Sequence, residues 1–322
     1  MSQTLITSRD PKGLHAVGLF EAVYNKSKER RRMTMSQTLI TSRDPKGLHA
    51  VGLFEAVYNK SKLDEARAQR LNERGGELQD GIAKLIAELS VSNQYANEEV
   101  RSSYTYSKEY KGPKPINDQI KAIAKIFDLD PSQALEFAKN LPALPDGAEG
   151  WFTIPKWQTL APTYGEAVEK VLAMIASKRK FYNYRDGQLG AEYLRQHAKT
   201  VKMFQKLGDE QKDFDILVVP AQFGLRHKGR SVRRAREVFT ANEFGLGAFA
   251  IGIMVLTHPE RLVQWEQLHV DCAGDEFAPG AGGDFSSAPF FDFDGGGVEF
   301  GARWYVYADG HYGSASAFLS QS

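Results

Sequence analysis

The chain has 322 residues, 42% of them hydrophobic and 25% charged, with a formal net charge of +1 at pH 7. This is globular composition, which excludes a disordered chain, a collagen and a coiled-coil rod, and at about 150 residues per domain the length suits two domains. One cysteine, Cys272, excludes an intramolecular disulfide and a zinc site built from several thiolates, so any metal would fall to His and carboxylates.

Residues 1–28 and 35–62 are identical, joined by ERRRMT. The offset matches a tetratricopeptide period, but solenoid repeats diverge and need about three copies. The expectation is an internal duplication with Met35 as a natural start and residues 1–34 loosely attached. In the second copy Asp44-Pro45 predicts a helix over 46–59. Another is expected over 63–89, broken at Gly75-Gly76, with Ile82, Leu85, Ile86 and Leu89 at helical spacing. Residues 92–115 are polar, carry Tyr104, Tyr106 and Tyr110, and read as an exposed loop or edge strand.

Helices over 117–127 and 132–140 form a hairpin, with Ile120, Ile123, Ala124 and Phe127 facing Ala134, Leu135 and Ala138. As a DNA-reading unit it is poorly equipped, because the exposed set Ser132, Gln133, Glu136, Lys139 and Asn140 sets one lysine against one glutamate. Thr163 and Glu166 make a capping box that opens a helix over 164–180. A further helix is expected over 189–207. From 213 the pattern changes: a strand over 215–220 ended by Pro220, then helices over 231–241 and 243–256. The apolar run 244–256 is short of the roughly 20 residues that cross a bilayer, and reads as a core helix. Thr257 and Glu260 form a second capping box for a short helix to Trp265. A strand over 268–272 and a hairpin turning at DGGG follow, with a second turn at 308–310. The fold class is α+β: a mostly helical part, 35–210, packed on a part with helices and an antiparallel sheet, 211–322. MSQTLITSRDPK lacks the features of a signal peptide, so the expectation is a soluble cytoplasmic protein with no membrane partner.

The charge is divided along the chain. Residues 264–322 carry −8 and the remainder +9, and no lysine follows Lys228. Arg226, Lys228, Arg230, Arg233, Arg234 and Arg236 lie within eleven residues. On one helix, Arg226, Arg230, Arg233 and Arg234 share a face. A second stretch mixes Lys178, Arg179, Lys180 and Arg185 with Tyr182 and Tyr184. Guanidinium groups grip phosphate and aromatic rings stack on unpaired bases, so both stretches are candidates for binding an anion, most simply nucleic acid or another polyanion. The bland alternative is a solvated face, or one neutralised by the acidic C-terminal part.

Two carboxylate groups stand out. His269 and Asp271 share one side of a strand, near Asp275 and Glu276, and are the candidate metal ligands. Asp292, Asp294 and Glu299 flank the DGGG turn, too few for a calcium loop. No P-loop, nucleophile elbow or dinucleotide fingerprint is present.

Arg226-His227 beyond a strand resembles the histidine phosphatases, where a strand leads into Arg-His-Gly. Here Lys228 stands where glycine belongs and Gly229 comes one place late, so the resemblance leaves His227 as a candidate base rather than a nucleophile. Its basic neighbours favour the neutral form. Residues 141–157, LPALPDGAEGWFTIPKW, and 231–247, SVRRAREVFTANEFGLG, resemble uncharacterised proteins of uncultured bacteria, a likeness extending over most of 63–322. That family brings no assigned activity, fold or ligand. The leading expectation is therefore an anion-binding protein using Arg226–Arg236 with Lys178–Arg185. Its alternatives are a phosphoester hydrolase, metal-dependent or not, using His227 or the His269/Asp271 pair, and a structural protein with no ligand. Cofactors and oligomeric state are left open.

Overall fold

The computed structural model describes residues 5–6, 42–89 and 93–319. The expectation for residues 1–34 falls almost wholly outside them. The contacts divide the chain into two compact units, 1–91 and 92–322. The fold is α+β.

Among the described residues of the first unit, strand β1 (Leu5–Ile6) pairs antiparallel with β2 (Leu63–Asp64), and the helices are α1 (Pro45–Lys60), α2 (Glu65–Glu73) and α3 (Gly75–Leu89). Pro45 opens α1, as its fixed φ and missing N–H allow. The expected break at Gly75 is real and separates α2 from α3. Val51 and Ile82 form a small core. Leu85 and Leu89, expected on the same stripe, are exposed.

The second unit opens with an extended segment. It is not simply exposed: Tyr110 and Ser107 are buried, and Tyr104 and Tyr106 are half-buried. Then come α4 (Ile116–Phe127), α5 (Ser132–Phe137), β3 (Gly150–Pro155), α6 (Tyr164–Lys178), β4 (Phe181–Asn183), β5 (Leu194–Gln196), α7 (Ala198–Glu210) and β6 (Ile216–Gln222). The chain continues through α8 (Val232–Val238), β7 (Glu243–Gly245), α9 (Ala248–Thr257), β8 (His269–Asp271), β9 (Asp275–Phe277), β10 (Ser287–Asp294), β11 (Gly297–Trp304), β12 (Tyr312–Ser314) and β13 (Ser316–Phe318).

Two sheets result. The smaller has the order β3-β6-β13-β7, all antiparallel. The larger follows the path β12-β8-β10-β11-β4, with β9 pairing both β10 and β5. Its β4/β11 and β12/β8 pairs are parallel, so the expected antiparallel sheet is mixed. Strands β3, β4 and β5, which precede residue 210, are built into these sheets alongside later strands.

Local chemistry explains most elements. Thr163 caps α6, its hydroxyl accepting from Glu166 N–H at 3.3 Å. Helix α9 is buried on every side from Ala248 to Val255, as an all-apolar sequence requires. Gly295 and Gly296, at φ +56° and +77°, make the two-residue turn that sets Asp294 opposite Gly297. Three expectations fail for identifiable reasons. Pro220 does not end its strand: β13 pairs only with Ala221 and Gln222, so on that flank no ladder bond is missed at Pro220. The Thr257 hydroxyl turns back to the Ile253 and Met254 carbonyls instead of capping forward, and only a single 3-10 turn, Pro259–Arg261, follows. The helix expected over 189–207 starts late, at Ala198, because β5 occupies its first half.

Candidate functional site: a polar sheet face

The basic stretch 226–236 is not one helix. Leu225–His227 is a 3-10 turn, Gly229 sits at φ +75°, and α8 begins only at Val232. A common face for Arg226, Arg230, Arg233 and Arg234 therefore does not exist. Each cation has a partner within the protein. Arg233 pairs with Glu98, its Nε donating at 3.2 Å, and lies 3.9 Å over the Tyr95 ring. Arg234 pairs with Glu99 at 2.5 Å and with Glu237 at 2.7 Å. Arg230 meets Glu99 at 3.4 Å and Arg226 meets Glu243 at 3.3 Å. Lys228 Nζ donates to the Tyr104 carbonyl, and Arg236 donates to the carbonyls of Ala273 and Asp275. The carboxylate partners come from 98–99, 237 and 243, not from the acidic C-terminal part.

His227 is buried within this arrangement. Arg230 can only donate, so Nδ1 accepts at 3.0 Å, and Nε2 carries the proton and donates to Glu243 at 2.7 Å. Burial pushes its pKa down, helped by Arg230 and Arg226 and opposed by Glu243. Burial alone would raise Glu243, but His227, Ser316 and Arg226 hold it at about 2. The imidazole is neutral as expected, yet both nitrogens are engaged, which leaves no lone pair for a substrate.

The second stretch is divided as well. Arg179 donates to the carbonyls of Pro259 and Leu262, and Lys180 donates to that of Gly295. Arg185 donates to the Ala302 carbonyl and lies 5.3 Å over Phe277. Lys178 is exposed at the end of α6. Tyr182 and Tyr184 are exposed, with stacked rings at 6.5 Å. Tyr182 stands on β4 and Tyr184 just beyond its end, at one edge of the larger sheet, whereas Lys228 bridges to β12 at the other. At about 4.8 Å per strand those edges are roughly 19 Å apart, so the two stretches form no single surface.

The opposite condition holds on one face of that sheet. Side chains alternate along a strand, so the pairing registers decide what shares a face. Tyr312 pairs with His269, Asp292 with Glu299, and Glu299 with Tyr182. Phe290 pairs with Asp271 and Phe291 with Val270; one step further sets Asp292 beside His269. The result is a row across five strands: Tyr312, His269, Asp292, Glu299, Tyr182. A second row holds Ser314, Asp271, Phe290 and Gly301. A Cβ on Gly301 would lie 2.4 Å from the Phe290 ring, so glycine is what lets that ring lie across β11.

Six buried polar atoms on this face lack hydrogen-bond partners of good geometry: both ring nitrogens of His269, both oxygens of Asp271, Oδ1 of Asp292 and Oγ of Ser314. Such groups are rare, and each costs about 1–3 kcal/mol. Burial holds Asp271 up at about 6 although Arg303 Nε lies 3.8 Å away. Burial also raises Asp292 to about 6, with Glu299 and Asp294 adding to it, even though the Tyr312 hydroxyl donates to Oδ2 at 2.7 Å. Burial drives His269 down to about 3. The rim carries Trp265, 4.9 Å from the His269 ring and 41% exposed, and His311, stacked on His269 at 5.9 Å. Arg303 lies over the Tyr312 ring at 4.1 Å and reaches Asp309 at 3.5 Å. On the open side the Tyr184 hydroxyl donates to Glu299 at 3.1 Å.

Sequence reasoning named His269, Asp271, Asp292, Asp294 and Glu299 but not Arg303, Tyr312, Ser314, His311 or Trp265. The first group was visible as local clusters. The second is brought in by strand pairing, for which the sequence carries only the turn signal at 308–310. No group of three or more His, Cys, Asp or Glu among the described residues is placed to hold a metal ion, so the expected His269/Asp271 pair gains no third ligand. No helix among them is long and apolar enough to cross a membrane. No protein-family model, no curated protein and no solved structure matches the chain.

Proposed function

We propose that the protein binds an uncharged, polyhydroxylated ligand, a carbohydrate, on the polar face of its larger sheet. What supports this reading above all is the set of six buried polar atoms that make no hydrogen bond of good geometry, clustered on neighbouring strands. Hydroxyl groups both donate and accept, and so match a face that offers carboxylate acceptors, an imidazole and a guanidinium. The stacked tyrosines 182 and 184 supply an exposed flat apolar surface beside it. Acids outnumber Arg303 there, which disfavours a phosphate or a nucleic acid strand. Isothermal titration with a panel of soluble oligosaccharides tests the reading. Saturable binding that is lost in Tyr182→Ala supports it, and absence of heat with every saccharide contradicts it.

A second reading, binding of nucleic acid along Arg226–Arg236, is favoured by one observation: the side chains of Arg226, Arg230 and Arg233 remain 36%, 28% and 32% exposed. Affinity for a single-stranded oligonucleotide at low salt, falling steeply as salt rises, is its signature. No affinity at 20–50 mM salt, roughly the low end of such titrations, would remove it.

A further inference from the structure

We infer that a groove at the ends of α6 and α9 binds a small amphipathic carboxylate, a medium-chain fatty acid, with its chain along the apolar walls and its head at Lys178. The groove shares no residue with the polar sheet face, so the inference does not rest on the carbohydrate reading.

Helix α6 ends at Lys178, and α9 ends at Thr257, ahead of the 3-10 turn Pro259–Arg261. The two helices pack closely at Gly252, where an added Cβ would lie 2.5 Å from a Val171 methyl. Toward their ends Ile175, Val255, Leu256, Pro259 and Val263 wall a cavity of about 430 Å³. Small-molecule sites measure roughly 300–1,000 Å³. Ile175 and Val255 are buried, Leu256 and Val263 half-buried and Pro259 exposed, so apolar surface runs from the interior out to the mouth. The walls are held together: the Arg179 guanidinium, just past α6, donates to the carbonyls of Pro259 and Leu262.

Charge chooses the head group. Helix C-terminal carbonyls carry partial negative charge, which would repel an anion. Here they are met: Met174 by the Ser177 hydroxyl, Ile175 by the Arg179 N–H, Met254 by the His258 N–H and Thr257 by Lys114. Lys114 also pairs with Glu260 at 3.1 Å, which neutralises the one acid lining the groove. Lys178 is exposed, and of the four cations in 178–185 it alone has no partner among the described residues. One uncommitted ammonium beside an apolar cavity suits one negative charge on an apolar chain. A bare phosphate would gain nothing from the walls, and an uncharged chain nothing from Lys178.

The test is isothermal titration of the full chain with sodium octanoate, sodium decanoate and 1-octanol, the acids kept below their micelle concentrations. The expected result is saturable binding of one octanoate per chain, with decanoate at least about fivefold tighter because two more methylenes are buried. Octanol should bind about fivefold more weakly than octanoate, and Lys178→Glu should weaken octanoate by about fivefold or more, as loss of a partly exposed ion pair predicts. Val263→Asp, which places an acid in the wall, should weaken it at least tenfold. Lys178 is exposed, so its variant reports on binding even if Val263→Asp fails to fold. Absence of saturable binding overturns the inference. Octanol as tight as octanoate, or octanoate affinity unchanged in Lys178→Glu, overturns the carboxylate assignment. Decanoate no tighter than octanoate shows that the walls do not take the chain, and overturns it too.

Discussion

The stretch 226–236 and the face formed by β8, β10, β11 and β12 are opposites. The first is dense in charge, and its side chains are matched: Glu98, Glu99, Glu237 and Glu243 meet its arginines, and carbonyls take Lys228 and Arg236. The second is modest in sequence, yet holds buried side-chain atoms of His269, Asp271, Asp292 and Ser314 that make no hydrogen bond of good geometry, although Arg303 lies 3.8 Å from Asp271 and Tyr312 donates to the other oxygen of Asp292. Charge density measures supply, and only pairing shows whether the supply is used internally. A matched cluster fastens the fold, here tying the segment around 98–100 to α8. An unmatched one is costly to keep and points to a role outside stability.

The sharpest attack on the matched region is Glu243→Ala. It leaves Arg226, His227 and Ser316 without their shared carboxylate in a fully buried place. A loss of about 3–5 kcal/mol is expected, a Tm lowered by roughly 10 °C, read by thermal denaturation. A result within experimental error of wild type would mean the matching is ornamental.

His269 gives the next largest effect, and its sign can be worked out. Its folded pKa, about 3, lies below the ordinary value, so on acidification the unfolded chain takes up a proton that the folded one refuses. Stability from this group is present above about pH 6.5 and is lost as pH falls toward 3. His269→Gln should therefore gain on wild type by on the order of 2–3 kcal/mol between pH 7 and pH 4, measured by urea unfolding. The wild-type profile alone will not reveal this. Buried carboxyls at Asp271, Asp275 and Asp292, held at about 6, 7 and 6, oppose it over the same range.

Arg233→Glu sets a second acid against Glu98 and should lower stability by roughly 1–3 kcal/mol in urea unfolding at low salt, less as salt rises. The smallest expected effect is Gly301→Ala, about 1 kcal/mol by the same assay, because the clashing atom belongs to the Phe290 ring, which can shift. A neutral result there would show that the ring does not need to lie across β11.

Much of the fold was readable along the chain because its causes are local. The α6 cap, the break before α3, the core helix α9 and the hairpin turn at Gly295-Gly296 each depend on residues a few places apart. What failed depended on partners far away: Pro220 is tolerated because β13 stops at Ala221, and β5 forms because β9 is there to pair with it. The site divides in the same way. His269 with Asp271, and Asp292 with Glu299, were visible as short-range groups. Arg303, Tyr312 and Ser314 reach them only through sheet register. The pairing of Glu98 and Glu99 with arginines about 135 residues away left no mark in the sequence.

The central claim is that the sheet face keeps polar groups at a cost in stability, and equilibrium unfolding of Asp271→Asn beside wild type at pH 8 tests it most directly. With a folded pKa of about 6, this carboxyl favours folding most at low pH and loses that advantage as pH rises through 6. The asparagine variant, which resembles the protonated form, should be more stable than wild type by roughly 2 kcal/mol at pH 8 and nearly equal at pH 4. A variant less stable than wild type at pH 8 would mean that Asp271 is satisfied and structural, and would contradict the account.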